Sequence, residues 1–122
     1  MTTWPANDVT SPELVELFHK AIRREVKVVA LGESWNDVYA GNVRFHIGDY
    51  TVVIFNDCNE LDYVESATAA DGREGEFDAW WFANLDPVSL LTELEYQQLE
   101  NLLERAPVED SESGRPIANS DS

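Results

Sequence analysis

Apolar residues in the first third of the chain recur at three- and four-residue steps. Leu14, Phe18, Ala21, Ile22, Val26 and Val29 form one stripe of a helix. Thr10 with Glu13 three residues on is a capping box, and Pro12 suits the first turn, where its missing N–H costs nothing. The spacing predicts a helix from this box to Gly32, with a strand over 26–31 as the alternative. Residues 34–41 predict one or two helical turns, with Ser34 as N-cap and Gly41 as the stop. The period then changes to two: Val43, Phe45 and Ile47 alternate with Arg44 and His46. Gly48-Asp49 suits a two-residue type II′ hairpin, which pairs Ile47 with Tyr50, Phe45 with Val52 and Val43 with Ile54 on one face.

Residues 61–68 and 76–82 read as a second hairpin around Asp71-Gly72. A direct two-residue loop there sets Glu65 opposite Asp78, a like-charge pair, and a bulge near Gly75 would relieve it. Trp80 and Trp81 hold adjacent strand positions, so one faces the core and the other points outward or under a helix. Asp86-Pro87 opens a turn, and Thr92 with Glu95 caps a helix to about Ala106 through Leu99, Leu102 and Leu103. The pattern predicts an α+β domain over 10–106: a four-stranded, mainly antiparallel sheet of two hairpins, packed on one face by an N-terminal and a C-terminal helix. From Pro107 the chain is rich in Pro, Gly, Ser, Asp and Glu, which predicts a disordered acidic tail over 107–122.

Composition narrows the function classes. The 122 residues carry 24 Asp and Glu against 8 Lys and Arg, a formal charge of -16. Phosphates are repelled by such a surface, so direct nucleic-acid binding is not expected. Cys58 is the single cysteine, so neither an intrachain disulfide nor a thiolate zinc site is available. No apolar run reaches the roughly 20 residues of a membrane span. A cytoplasmic protein with no membrane contact and no cofactor is expected.

Among motifs that carry chemistry, Asn56-Asp57-Cys58-Asn59-Glu60-Leu61-Asp62 has the oxygen ligands a hard cation takes. It fails as an EF-hand, since Leu61 falls at a ligand position and Asp62 replaces the sharp-turn glycine. A β-turn whose Asn and Asp side chains bond local backbone explains the stretch more simply, and no metal site is assigned. Cys58 lies among carboxylates that oppose a thiolate, and pairing it with His19 or His46 would require tertiary packing. No catalytic residue is assigned. Eight acids and one base, Arg73, fall between Asp57 and Asp78, while Lys20, Arg23, Arg24 and Lys27 hold half of all the cations. The bland explanation is a solubilising surface. The functional one is a non-enzymatic docking module of inhibitor, immunity or regulatory type for a basic protein. Its expected residues are Asp57, Glu60, Asp62, Glu65, Glu76, Asp78, Trp80 and Trp81.

Phe55-Asn56-Asp57-Cys58-Asn59-Glu60-Leu61-Asp62-Tyr63, followed by Asp71-Gly72-Arg73 and Phe77-Asp78, resembles a family of small uncharacterised bacterial domains. Ala30-Leu31-Gly32, Ser34-Trp35-Asn36-Asp37 and Asp86-Pro87-Val88-Ser89-Leu90-Leu91 share the resemblance, which covers about 12–105. It implies one self-contained domain and no activity.

Overall fold

A computed structural model of the chain describes residues 9–109. Helix α1 (Ser11–Ile22) starts at the expected box: the Glu13 N–H donates to Thr10 Oγ1 at 3.2 Å, and the Thr10 N–H donates to Glu13 Oε1 at 3.4 Å. It does not run to Gly32. The Arg24 N–H donates to the Ala21 carbonyl at 3.0 Å, and the Glu25 N–H to the Lys20 carbonyl at 2.8 Å. This is a Schellman stop, with Arg24 at φ 66° in the left-handed position that glycine usually fills. Such a stop has no glycine to betray it in the sequence. The segment beyond, β1 (Val28–Leu31), pairs antiparallel with β2 (Ala40–Ile47), Ala30 opposite Phe45. The strand alternative is therefore the observed one, because β2 offers these β-branched residues a hydrogen-bonding edge. Between them, only Trp35–Asp37 forms a 3-10 turn, with Ser34 Oγ accepting from the Asp37 N–H at 3.2 Å, and Gly41 already lies in β2.

The hairpin of β2 and β3 (Tyr50–Asp57) has the expected register, including Ile47–Tyr50, Phe45–Val52 and Val43–Ile54. Gly48 sits at φ 58°, as the first position of a II′ turn requires. β4 (Glu60–Thr68) then pairs with β3, and β5 (Glu74–Glu76) with β4, so the strands from β2 to β5 form a meander. The sheet has six strands in the order β5-β4-β3-β2-β1-β6, and β6 (Val108–Glu109) lies parallel to β1. It is mixed, larger than the expected four-stranded sheet. The remainder of the expected tail, 110–122, lies outside the described residues.

The β4–β5 register places Ser66 opposite Glu76 and Ala67 opposite Gly75, one residue away from the direct-loop expectation. The Gly72 N–H donates to the Ala69 carbonyl at 2.9 Å and the Ala69 N–H to the Arg73 carbonyl at 2.8 Å, a three-residue loop with Gly72 at φ 95°. Strand β5 ends at Glu76, and residues Phe77–Phe82 form helix α2 where a strand was expected. Phe77, Trp80 and Trp81 stand at i, i+3 and i+4, a helical spacing that the apparent alternation hid. Helix α3 (Glu93–Arg105) follows, with the expected box at Thr92 and Glu95.

Helices α1 and α3 pack together on one face of the sheet, where Leu14 and Phe18 meet Phe45, Ile47, Val52 and Ile54, and Leu99 and Leu103 close the layer. Of the expected core residues, Ile22 and Leu102 are only half-buried at its margin. Trp35 and Trp80 are fully buried. The other face meets α2 (Phe77–Phe82) at the β4–β5 edge and leaves Asn42, Arg44 and His46 of β2 exposed.

Candidate functional site

Strand alternation places Phe55 on the face away from α1 and α3, because its neighbours Ile54 and Asn56 point into the core. Strand β4 departs from alternation. Val53 pairs with Ser66 but Ile54 with Val64, and Phe55 pairs with Tyr63 but Asn56 with Leu61. Glu65 and Asp62 are thus the extra residues of two β-bulges. The bulges change the burial period of β4 to three, so Leu61, Val64 and Ala67 all reach the core. They leave Asp62 and Glu65 exposed and bring the Tyr63 ring beside Phe55.

The first bulge is secured from the helix layer. The Leu61 N–H donates to Glu100 Oε2 at 3.0 Å, and the Tyr96 hydroxyl donates to the Leu61 carbonyl. The Leu61 backbone groups, which face away from β3 beside the bulge, are thereby satisfied by α3. Burial, followed by the charges of Glu100, Glu60 and Asp62, pushes the Tyr96 hydroxyl up to about 12, so it remains a donor at physiological pH.

Four rings form a row across the face toward the sheet edge. Phe55 and Tyr63 stack with centroids 5.2 Å apart and planes within 16°. Tyr63 meets Phe77 at 4.5 Å, and Phe77 meets Trp81 one helical turn later at 5.9 Å and 26°. Phe55, Tyr63 and Phe77 are half-buried, while Trp81 is 62% exposed and its neighbour Phe82 91%. Trp80 faces the opposite way: it is fully buried, and its Nε1 donates to the Val9 carbonyl at 3.1 Å. Of the two tryptophans, then, Trp81 is the outward one, and Trp80 is removed from the expected binding set. The divergence comes from the 100° step of a helix rather than from strand alternation.

The carboxylates gather around this row. Burial, then the charges of Glu65, Asp62 and Asp78, raises the Tyr63 hydroxyl pKa above its ordinary value. Burial, then Asp57, Asp86 and Glu60, raises that of the Asp62 carboxyl. The structure therefore brings Asp57, Glu60 and Asp62 together at one end of β4, and Asp62, Glu65 and Asp78 around Tyr63. Glu76 lies on the edge strand opposite Ser66. Phe55, Tyr63, Phe77 and Asp86 belong to the face without having been expected there. For Phe55 and Tyr63 the signal was an aromatic residue at either end of the polar stretch 56–62, which single-residue charge counting passes over; Phe77 and Asp86 had no such local signal.

The polar stretch itself is a two-residue hairpin turn between β3 and β4. Cys58 and Asn59 sit at φ 55° and 70°, the pair of positive angles that type I′ demands. Asn56 is fully buried beneath it: its Nδ2 donates to the Trp35 carbonyl at 2.9 Å and the Val38 carbonyl at 2.6 Å, and its Oδ1 accepts from the Asn59 N–H at 2.6 Å. Among the described residues, no three His, Cys, Asp or Glu side chains are grouped to hold a metal ion. His19 pairs with Glu95 across α1 and α3, Nε2 to Oε2 3.2 Å. His46 stands opposite Thr51, about 23 Å along the strands from Cys58 at 3.3–3.4 Å per residue. A cleft of about 780 Å³ opens between the C-terminal ends of α1 and α3 and is lined by Arg24, Lys27 and Arg105. Cations at these ends offset the helix dipoles.

Among the described residues, no helix is long and apolar enough to cross a membrane. A search of curated proteins and a search of solved structures each returned no match. A family model does match, over residues 8–105. The chain thus belongs to the family described as "Domain of unknown function (DUF7693)".

Proposed function

We propose that the protein is a non-enzymatic, cytoplasmic docking module that binds a basic protein through the sheet face opposite α1 and α3. The observation that carries this reading is the placement of Asp62, Glu65 and Asp78 around Tyr63, in the ring row that ends at the exposed Trp81. Folding does not call for these charges there, since neighbouring carboxylates oppose one another. Two of the three stand on bulges, which lift them out of the hydrogen-bonded ladder. An acidic field around exposed aromatic area gives both steering for a cationic partner and an apolar anchor once it arrives. The single cysteine, exposed and free, fits the reducing interior of a cell.

The test uses an oligolysine peptide as a minimal basic partner, titrated into the isotope-labelled full chain. Amide shifts are expected at β4 and α2 rather than along the equally acidic α3. Affinity is expected to fall as salt rises to about 150 mM, where screening acts beyond about 8 Å. Reversing Asp62, Glu65 and Asp78 to Lys should leave the circular dichroism spectrum unchanged and abolish those shifts. Shifts confined to α3, or an affinity that ignores both salt and the reversals, would reduce the acidic face to a solubilising surface.

A further inference from the structure

The ring row is more than apolar area. Aromatic faces carry the negative lobes of the ring quadrupole, and here they stand among carboxylates. Phe77 and Trp81 lie on one side of α2, with planes within 26° of each other. Asp78 follows Phe77 directly in the same helix. Trp81 ends the row and is 62% exposed, so much of its ring is open to a partner. Two cationic side chains could meet such a surface, and they differ in shape. An ammonium is a compact, strongly hydrated point charge. A guanidinium is planar and weakly hydrated; it stacks on aromatic faces and meets a carboxylate with two parallel N–H bonds. A flat ring with a carboxylate three residues before it on the same helix, Trp81 after Asp78, matches the second shape.

We propose that the row Phe55, Tyr63, Phe77 and Trp81 is a seat for arginine side chains of the basic partner, stacked at the open Trp81 end with Asp62, Glu65 and Asp78 as counter-charges. This rests on the docking reading above and adds to it a preference for arginine over lysine. Charge alone supplies no such preference, because the two peptides carry the same charge.

Oligoarginine and oligolysine of equal length, titrated separately into the full chain, separate the two claims. Oligoarginine is expected to bind about tenfold more tightly, equivalent to about 1.4 kcal/mol, and to shift the Trp81 indole N–H resonance. Trp81→Leu keeps apolar area but removes the π face; it should erase the preference, because oligoarginine affinity falls further than oligolysine affinity. Trp81→Phe should restore part of it. Trp81 is exposed, so these variants are expected to keep the wild-type melting temperature. Equal affinities for the two peptides, both sensitive to salt and mapped to β4, overturn the arginine seat and leave the docking reading standing. A preference that survives Trp81→Leu also overturns the seat, since the selectivity then lies elsewhere. Failure of both peptides to bind at low salt overturns both claims.

Discussion

Gly75, in the short edge strand β5, is buried for a reason that its own backbone does not disclose. A Cβ placed there would press on the Val9 carbonyl oxygen and lie 2.7 Å from Trp80 Cζ2. The Val9 carbonyl is the acceptor for the Trp80 indole at 3.1 Å, and the Val9 N–H donates to the Glu74 carbonyl at 3.1 Å. Gly75→Ala must therefore push either the chain at Val9 or the Trp80 ring out of place. Overpacking of this kind costs about 1–3 kcal/mol. Loss of the indole hydrogen bond adds about 1 kcal/mol. The reduced freedom of the unfolded chain returns about 0.4–1 kcal/mol. The net expectation is a destabilisation of about 1–3.5 kcal/mol, or roughly 5–25 °C in melting temperature for a domain of this size. Urea denaturation followed by circular dichroism measures it, with an unchanged slope showing that stability alone has moved. Gly72→Ala is the control: at φ 95° with open space around it, alanine meets only backbone strain, about 1–2 kcal/mol before the same entropic offset. A Gly75→Ala protein within about 0.5 kcal/mol of wild type, or less affected than Gly72→Ala, would refute the role given to the Val9–Trp80 contact.

Two further outcomes follow from single side chains. Asn56→Asp should destabilise the fold more than Asn56→Ala, because a carboxylate turned toward the Trp35 and Val38 carbonyls can donate to neither; equal melting midpoints for the two would contradict this. Glu13 is partly buried, which raises its carboxyl pKa, yet hydrogen bonds from Arg73, Tyr50 and the Thr10 N–H, with the Arg73 charge, hold it below the ordinary 4.5. Its contribution is therefore complete above about pH 4.5 and is lost as pH falls through the lower folded value. Glu13→Gln should reduce stability at pH 7 and flatten its acid dependence in that window, as read from urea midpoints; parallel pH profiles for variant and wild type would overturn the assignment.

Local chemistry in the sequence determined both capping boxes, the Ser34 cap, the β2–β3 hairpin with its register, and a turn within the polar stretch 56–62. Each rests on contacts within a few residues, so neighbours along the chain suffice to read it. The acidic bias between Asp57 and Asp78 was equally legible, since charge is a property of composition. Tertiary structure decided the rest. Residues 28–31 became a strand because β2 presents unpaired backbone groups there, whereas their spacing fits helix and strand alike. Residues 77–82 became a helix because the coil of α2 can send Trp80 inward to the Val9 carbonyl while keeping Phe77 stacked on Tyr63. The ring row itself joins β3, β4 and α2, and Tyr63 comes to face Phe55 only through the bulges at Asp62 and Glu65. A bulge is a compromise between two strands over which residues reach the core, so it is written in neither strand alone.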